Sequence, residues 1–199
     1  MFTSPHFLIA CALLTGACTG SIERAATPEN DSPPADLSQP AAGFAEDART
    51  PPVQIEAPIL ARSGSKLTGK ATFAETAGGV EVTIALAGAP PGKLATHVHQ
   101  KGDCSAADAS SAGEHFNPLG KPHGLPSETA HHLGDLGNIE VTADGTGTSR
   151  ILVPDANLKS NDPASFLGRS LIIHAKQDDG GQPSGNAGGR IGCVVITAP

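Results

Sequence analysis

The residues with the clearest chemical potential in this sequence are histidines in its second half. His97 and His99 flank one valine, and a strand places side chains two residues apart on one face, so this pair could chelate one metal ion. One carboxylate with three imidazoles suits tetrahedral zinc, and imidazole also suits copper, which can change oxidation state. Scattered surface histidines would explain any one of these residues, but they explain six of the eight histidines poorly. The remaining candidate ligands are His115, His123, His132, Asp135 and His174.

Short strands must position these side chains. Residues 80–86 alternate apolar and polar residues, which is the period of a strand with one buried face. Gly78-Gly79 and Asp144-Gly145 are typical of hairpin turns. Eight short strands with glycine-rich turns indicate an all-β fold, an antiparallel sandwich or barrel. The predicted strands are 53–60, 66–73, 80–86, 94–100, 138–143, 148–153, 170–176 and 193–197.

Two segments interrupt this rhythm of short strands and turns. Residues 101–137 and 177–189 are too long for ordinary connections, and long insertions of this kind are usually functional. The candidate ligands lie in or beside them, so we expect two functional loops to build the site.

Composition excludes some partners. The chain contains 24 Gly and 17 Pro but only 3% aromatic residues, which favours turns and short strands over long helices. Its net charge is −7 and it has no run of Lys or Arg, so a nucleic-acid partner is not expected.

The N-terminus has the features of an export signal. Residues 1–18 contain no Asp, Glu, Lys or Arg, and the apolar run 7–14 is too short to span a bilayer. Small residues then precede Cys18, as at a bacterial lipoprotein processing site, where Cys18 would carry lipid and tether the protein to a membrane; cleavage of a plain signal near Ala17 is the alternative. Residues 19–52, rich in Ala and Pro, are predicted to form a flexible linker before a domain over 53–199.

Five motifs resemble the copper/zinc superoxide dismutase family: HVHQKGDC from His97, AGEHFNP from Ala112, HHLGDLGN from His131, GRSLIIHAKQDD from Gly168 and GNAGGRIGC from Gly185. The resemblance covers residues 53–199 and implies an eight-stranded Greek-key barrel. It also implies an antioxidant enzyme that converts superoxide to dioxygen and hydrogen peroxide with copper and zinc. A non-catalytic metal-binding module with the same fold is the alternative.

The resemblance also implies a role for each site residue. It gives His115 to both metals as a shared, catalytic ligand, and it makes Asp178 the carboxylate that orients His97 and His123. It makes Arg190 the catalytic arginine that guides the anion beside copper. The implied copper ligands are His97, His99, His115 and His174, and the implied zinc ligands are His115, His123, His132 and Asp135.

The cysteines agree with export. Cys11 and Cys18 fall in or at the end of the predicted signal, which leaves Cys104 and Cys193 as an even pair in an exported domain, and we expect them to form a disulfide. A periplasmic or envelope location fits the resemblance. The resemblance is also compatible with either a monomer or a homodimer.

Overall fold

The computed structural model describes residues 53–198, so the predicted signal sequence with Cys18 and the predicted linker 19–52 lie outside the described residues. Within 53–198 nine strands form one antiparallel sheet, joined by turns and irregular segments with a single 3-10 turn at Ser110–Ala112. The strands are β1 Gln54–Pro58, β2 Leu60–Ala61, β3 Thr68–Thr76, β4 Gly79–Ala87, β5 Gly92–His99, β6 Asp135–Val141, β7 Gly147–Val153, β8 Arg169–His174 and β9 Arg190–Ile196.

The order of strands in the sheet is β1-β3-β4-β7-β6-β5-β8-β9-β2. The chain passes from β4 to β5, yet β4 pairs with β7, so non-consecutive strands are neighbours as in a Greek key. Because β1 and β2 are separated only by Ile59, the two ends of this sheet meet and the barrel is nearly closed.

The predicted count of eight strands differs from the observed nine at one place. The predicted strand 53–60 is divided at Ile59, so that β1 pairs with β3 while β2 pairs with β9. A strand that continued straight would remain on one neighbour; the break allows the same stretch of chain to bind both ends of the sheet.

Both predicted hairpins are present, with a small shift in the first. Thr76 pairs with Gly79, so the turn residues are Ala77 and Gly78, and Gly79 begins β4. Gly79 has φ +125, and a Cβ there would lie 2.2 Å from the Val153 carbonyl oxygen, so this position requires glycine.

The barrel core and the outer face of β8 are both buried. Leu171 and Ile173 belong to the main core inside the barrel. Ile172, between them, packs in a smaller cluster with the two cysteines and the loop residues Ala109 and Ala112. A strand buried on both faces has an apolar run rather than an alternating pattern, which explains the sequence of β8.

Irregular segments cover that outer face. They correspond to the two predicted long segments, now bounded as 100–134 and 175–189. A further irregular segment at 154–168 packs on the main core instead, through Leu158 and Phe166. The predicted disulfide between Cys104 and Cys193 is formed and ties the first segment to β9. No helix within residues 53–198 is long and apolar enough to cross a membrane.

Candidate metal centre

The candidate ligands lie on the outer face of the barrel, under the irregular segments. His97 and His99 extend from β5, and both are fully buried, whereas Val98 between them lies in the main core. His174 ends β8, the strand that pairs with β5. The predicted shared face of His97 and His99 is therefore confirmed, and β8 brings the third histidine to it.

Backbone hydrogen bonds bring His115 beside His99. The Phe116 amide donates to the Val98 carbonyl at 2.8 Å, and His115 forms an isolated bridge opposite His99. Gly134 packs on the same backbone, with its amide bonded to the Phe116 carbonyl at 2.9 Å. A Cβ on Gly134 would lie 2.3 Å from the Val98 oxygen, so only glycine permits this approach.

The first ligand group consists of four imidazoles whose ligand nitrogens lie within 4.8 Å of one another, namely those of His97, His99, His115 and His174. Three of the rings are held by a bond at the other nitrogen. His97 Nε2 donates to Asp178 Oδ2 at 2.8 Å, His99 Nδ1 to the Gly113 carbonyl at 2.9 Å and His174 Nδ1 to the Gly188 carbonyl at 3.3 Å. Each bond fixes a tautomer that directs a lone pair into the group.

In the described part of the chain the inward nitrogens of these three rings have no hydrogen-bond partner although they are buried: His97 Nδ1, His99 Nε2 and His174 Nε2. A buried polar atom without a partner costs free energy, so a structure that gathers several of them is built for an occupant. Neutral imidazole nitrogens are ligands for transition metals, and the group fits such an ion.

The second ligand group combines three imidazoles with one carboxylate, those of His115, His123, His132 and Asp135. Asp135 Oδ1 lies 2.9 Å from His115 Nδ1 and 3.2 Å from His132 Nδ1. The two ring nitrogens of His115 and His132 are 3.4 Å apart. Ligand atoms bound to tetrahedral zinc are separated by about 3.3 Å, given the usual zinc–nitrogen distance, so these spacings fit zinc.

His123 also fits a cation in this group. Its Nδ1 lies 3.0 Å from Asp135 Oδ2, yet the two atoms do not form a hydrogen bond, and Nδ1 has no other partner within residues 53–198. Two ligand atoms that converge without bonding each other are the arrangement a cation between them would require.

Asp178 joins the two groups. Its Oδ1 accepts a hydrogen bond from His123 Nε2 at 3.0 Å, while its Oδ2 accepts the bond from His97. Burial alone would raise the pKa of Asp178, but the hydrogen bonds from both rings hold this pKa well below its usual range. The carboxylate therefore stays ionised and orients one histidine of each group.

Sequence reasoning missed the residues that hold this frame. The side-chain amide of Asn138 makes two hydrogen bonds to the Asp178 backbone. Its Oδ1 accepts from the Asp178 N–H at 2.7 Å, and its Nδ2 donates to the Asp178 carbonyl at 2.9 Å. Gln182 holds the His123 backbone in the same two-sided way. Asn138 lies within one of the quoted motifs, but no spacing in the sequence connects it with a residue forty positions away.

Arg190 begins β9 and lies near the first group. Its Nη1 and Nη2 each donate at 2.8 Å to a backbone carbonyl, of Ala109 and Gly113 respectively. The Gly113 oxygen also accepts the bond from His99, and the Arg190 charge contributes to lowering the pKa of His99 and His174, after the larger effect of burial. Arg190 forms no salt bridge within residues 53–198, and its charge contributes to lowering the pKa of the exposed Asp108, after the hydrogen bonds from Ser110.

Comparison with known proteins shows what this site resembles. A family model described as copper/zinc superoxide dismutase matches residues 67–196. An extracellular superoxide dismutase [Cu-Zn] of Brugia pahangi is 37% identical over 148 residues, 69% of this chain and 73% of that protein. A superoxide dismutase [Cu-Zn] of Onchocerca volvulus is 37% identical over 150 residues, 69% of this chain and 93% of that protein.

Solved structures show the same fold. A SOD-like protein from Bacillus subtilis is 36% identical with a TM-score of 0.64, over 71% of this chain and 97% of that one. The clock protein EA4 is 34% identical with a TM-score of 0.67, over 76% of this chain and 98% of that one.

Replacing Asp178 with asparagine should weaken zinc binding by roughly 10–100-fold, since groups that orient metal ligands typically contribute that much. An amide cannot accept from both histidines without turning its NH₂ toward one of them. Competition against a chelator of known zinc affinity measures the loss. Asp179→Asn is the matched control, because Asp179 is exposed and bonds only Gly181 and Asn186. Equal affinities in both variants would contradict this role of Asp178.

Acid should destabilise the metal-free protein. Burial lowers the pKa of His97 from 6.5 to about 4, that of His174 to about 3 and that of His99 to about 2. The unfolded chain therefore binds more protons than the folded protein once the pH falls below 6.5. The contribution of these histidines to stability is fully present above pH 6.5 and is lost as the pH falls from there to their folded-state pKa values. The free energy of unfolding should fall by roughly 1.4 kcal/mol per pH unit for each histidine. Urea unfolding of metal-stripped protein at a series of pH values measures the slope, and a flat profile would contradict it.

Proposed function

This chain belongs to the copper/zinc superoxide dismutase family, and we propose that it converts superoxide at the two ligand groups described above. Enzymes of this family use copper and zinc, and both groups suit these ions. The observation that supports the proposal most strongly is that both groups are complete, with one histidine common to them, and that an arginine with no salt bridge in the described part of the chain lies beside the first.

We assign copper to the four imidazoles of the first group and zinc to the second, which has the only carboxylate. Imidazole ligands accommodate both oxidation states of copper, whereas three imidazoles and a carboxylate are a usual zinc set. His115 belongs to both groups, with Nδ1 beside Asp135, which leaves Nε2 for the copper side. When bound, copper supplies the one-electron redox change and zinc keeps the shared histidine in place.

The protein's own residues provide a proton and attract the charged substrate. Two superoxide anions and two protons give one dioxygen and one hydrogen peroxide, so a proton donor is needed beside the reacting anion. While it is free of copper, His115 Nε2 can hold one proton and release it to the departing peroxide, and water supplies the other. Asp178 keeps His97 and His123 oriented throughout, because it stays ionised.

Arg190 attracts and positions the substrate. From residue 51 onward 11 Lys and Arg stand against 14 Asp and Glu, a net charge of −3, so overall charge repels an anion. Local positive charge must overcome this. Arg190 is held by two carbonyls and retains N–H groups for an anion near His99.

The alternative, a metal-binding module without turnover, has the same fold and ligands. The decisive experiment is to load the purified domain with copper and zinc, determine metal content by elemental analysis and follow the decay of superoxide. We expect one copper and one zinc per chain and rapid decay that is lost when copper alone is removed. Two bound metals without accelerated decay would support the alternative, and a single saturable site would overturn the two-metal assignment.

Arg190→Ala should slow superoxide removal without emptying either metal site, because Arg190 is not a ligand. Attraction between exposed charges weakens beyond about 8 Å at physiological salt, so the wild-type rate should fall as salt rises and the variant should show a flatter dependence. Arg190→Lys should recover part of the rate, since it keeps the charge but loses the planar fork.

Arg150→Ala is the control for loss of a distant positive charge, because Arg150 is exposed on β7 and pairs with Glu81. Stopped-flow measurement of superoxide decay at several salt concentrations compares the three variants. An alanine variant of Arg190 with the wild-type rate and salt slope would show that guidance comes from other cations.

We propose further that the protein is exported and tethered to the bacterial cell envelope by lipid on Cys18. The uncharged N-terminus with its apolar run supports export, and two matched relatives are named extracellular. Cys18→Ser should then move the protein from the membrane fraction to the soluble fraction of expressing cells. The same partitioning in both forms would indicate cleavage of a plain signal instead.

A further inference from the structure

A recess of about 290 Å³ opens directly over the second ligand group. His115 and His132 line it together with Gln100, Glu114 and Asn117, and Pro183 and Ser184 of the segment 175–189 complete the lining. Of the four ligands of the first group only His115, which is also a ligand of the second group, lines this recess, so the recess lies on the side of the second group.

The ligands of the second group are unequally exposed toward this recess. The side chains of His123 and Asp135 are 0% exposed, whereas those of His115 and His132 are 6% and 11% exposed. An ion in this group can therefore be reached through the recess, past His132, but not from the side of His123 and Asp135.

The ligands are also unequally anchored. His123 is held through Nε2 by Asp178 and through its backbone by Gln182. Asp135 Oδ2 accepts the amides of His132 and Gly124, at 2.8 and 3.2 Å. The His132 backbone is bonded to Asp135 through its amide and its carbonyl, at 2.8 and 3.1 Å, but the His132 ring makes no bond through Nε2 within residues 53–198. The His115 ring has no bond through Nε2 there either, but it is also a ligand of the first group. The His132 ring can therefore turn away from the ion without losing a hydrogen bond to any residue outside the second group.

We infer that this recess is the route by which zinc enters and leaves the second group, with His132 as the last ligand to bind and the first to release. Glu114 is an exposed carboxylate at the rim with no salt-bridge partner within 53–198, so it is the first negative charge that an incoming cation meets. Ser184 and Pro183 set the width of the opening. This inference rests on the proposed assignment of zinc to the second group.

Zinc release from the copper- and zinc-loaded protein tests the route. The probe is the zinc-binding dye 4-(2-pyridylazo)resorcinol in excess, and the readout is the absorbance of its zinc complex. If the dye attacks zinc through the recess, the release rate should increase in proportion to dye concentration. Ser184→Trp narrows the opening and should slow release several-fold at unchanged copper content. Ser160→Trp, at an exposed position of the segment 154–168, is the matched control and should behave as the unaltered protein.

Zinc uptake by the metal-free protein provides a second test with a variant that removes only one exposed charge. Glu114→Gln should slow uptake roughly fivefold at low ionic strength, and the difference should vanish at high salt. The reason is that an exposed carboxylate attracts a divalent cation only while salt does not screen its charge. The final zinc content should be the same in both proteins.

A release rate independent of dye concentration and equal in Ser184→Trp would overturn the inference, since zinc would then leave only when the domain unfolds. An uptake rate unaffected by Glu114→Gln would overturn the part assigned to that carboxylate. A protein that binds no zinc at all would instead contradict the proposed function, so the two failures are distinguishable.

Discussion

The paired hydrogen bonds of Asp178 are the interaction on which the centre depends. One carboxylate in the segment 175–189 reaches His97 on β5 and His123 in the segment 100–134, and Asn138 on β6 fixes its backbone. Four separate parts of the chain therefore meet at one buried charge. The charge is tolerable there because every contact it makes is with a donor, and its removal would leave two ligand rings without an orienting partner.

The histidines that form the ligand groups also lower the stability of the metal-free protein. Four buried ring nitrogens, at His97, His99, His123 and His174, have no partner among residues 53–198, and each is a cost to the metal-free fold. A bound ion converts that cost into coordination, so metal affinity and folding stability are linked. The apolar core of the barrel lies beneath these histidines and can keep them in position before the ions bind.

Much of this structure was predictable, for physical reasons that can be stated residue by residue. Alternation located β4, and the pair His97 and His99 predicted a shared face correctly because a strand has a strict period of two. The five motifs then identified the family and, with it, both metals. Sequence spacing did not reveal that Ile59 divides the first strand, since that break depends on where the two ends of the sheet meet.

The roles of Gly113, Asn138 and Gln182 were not predictable either. Gly113 acts through its backbone carbonyl, whereas Asn138 and Gln182 bind backbone groups far away in sequence. Neither kind of contact produces a recognisable pattern of residue types.

The division of the first strand leaves a seam where the barrel closes. Only Leu60 and Ala61 pair with β9, at Cys193 and Gly192, whereas the rest of that β9 edge and the facing edge of β1 have no strand partner within 53–198. Cys193 carries the disulfide to Cys104, and the Cys104 carbonyl accepts hydrogen bonds from the Arg62 guanidinium, directly after β2, at 2.9 and 2.5 Å. The disulfide therefore holds in place a carbonyl that binds the residue next to the short closure. In an oxidising compartment this support is permanent, whereas reduction would leave two residue pairs between β2 and β9 as the strand pairing that closes the barrel, beside edges at which another chain could pair.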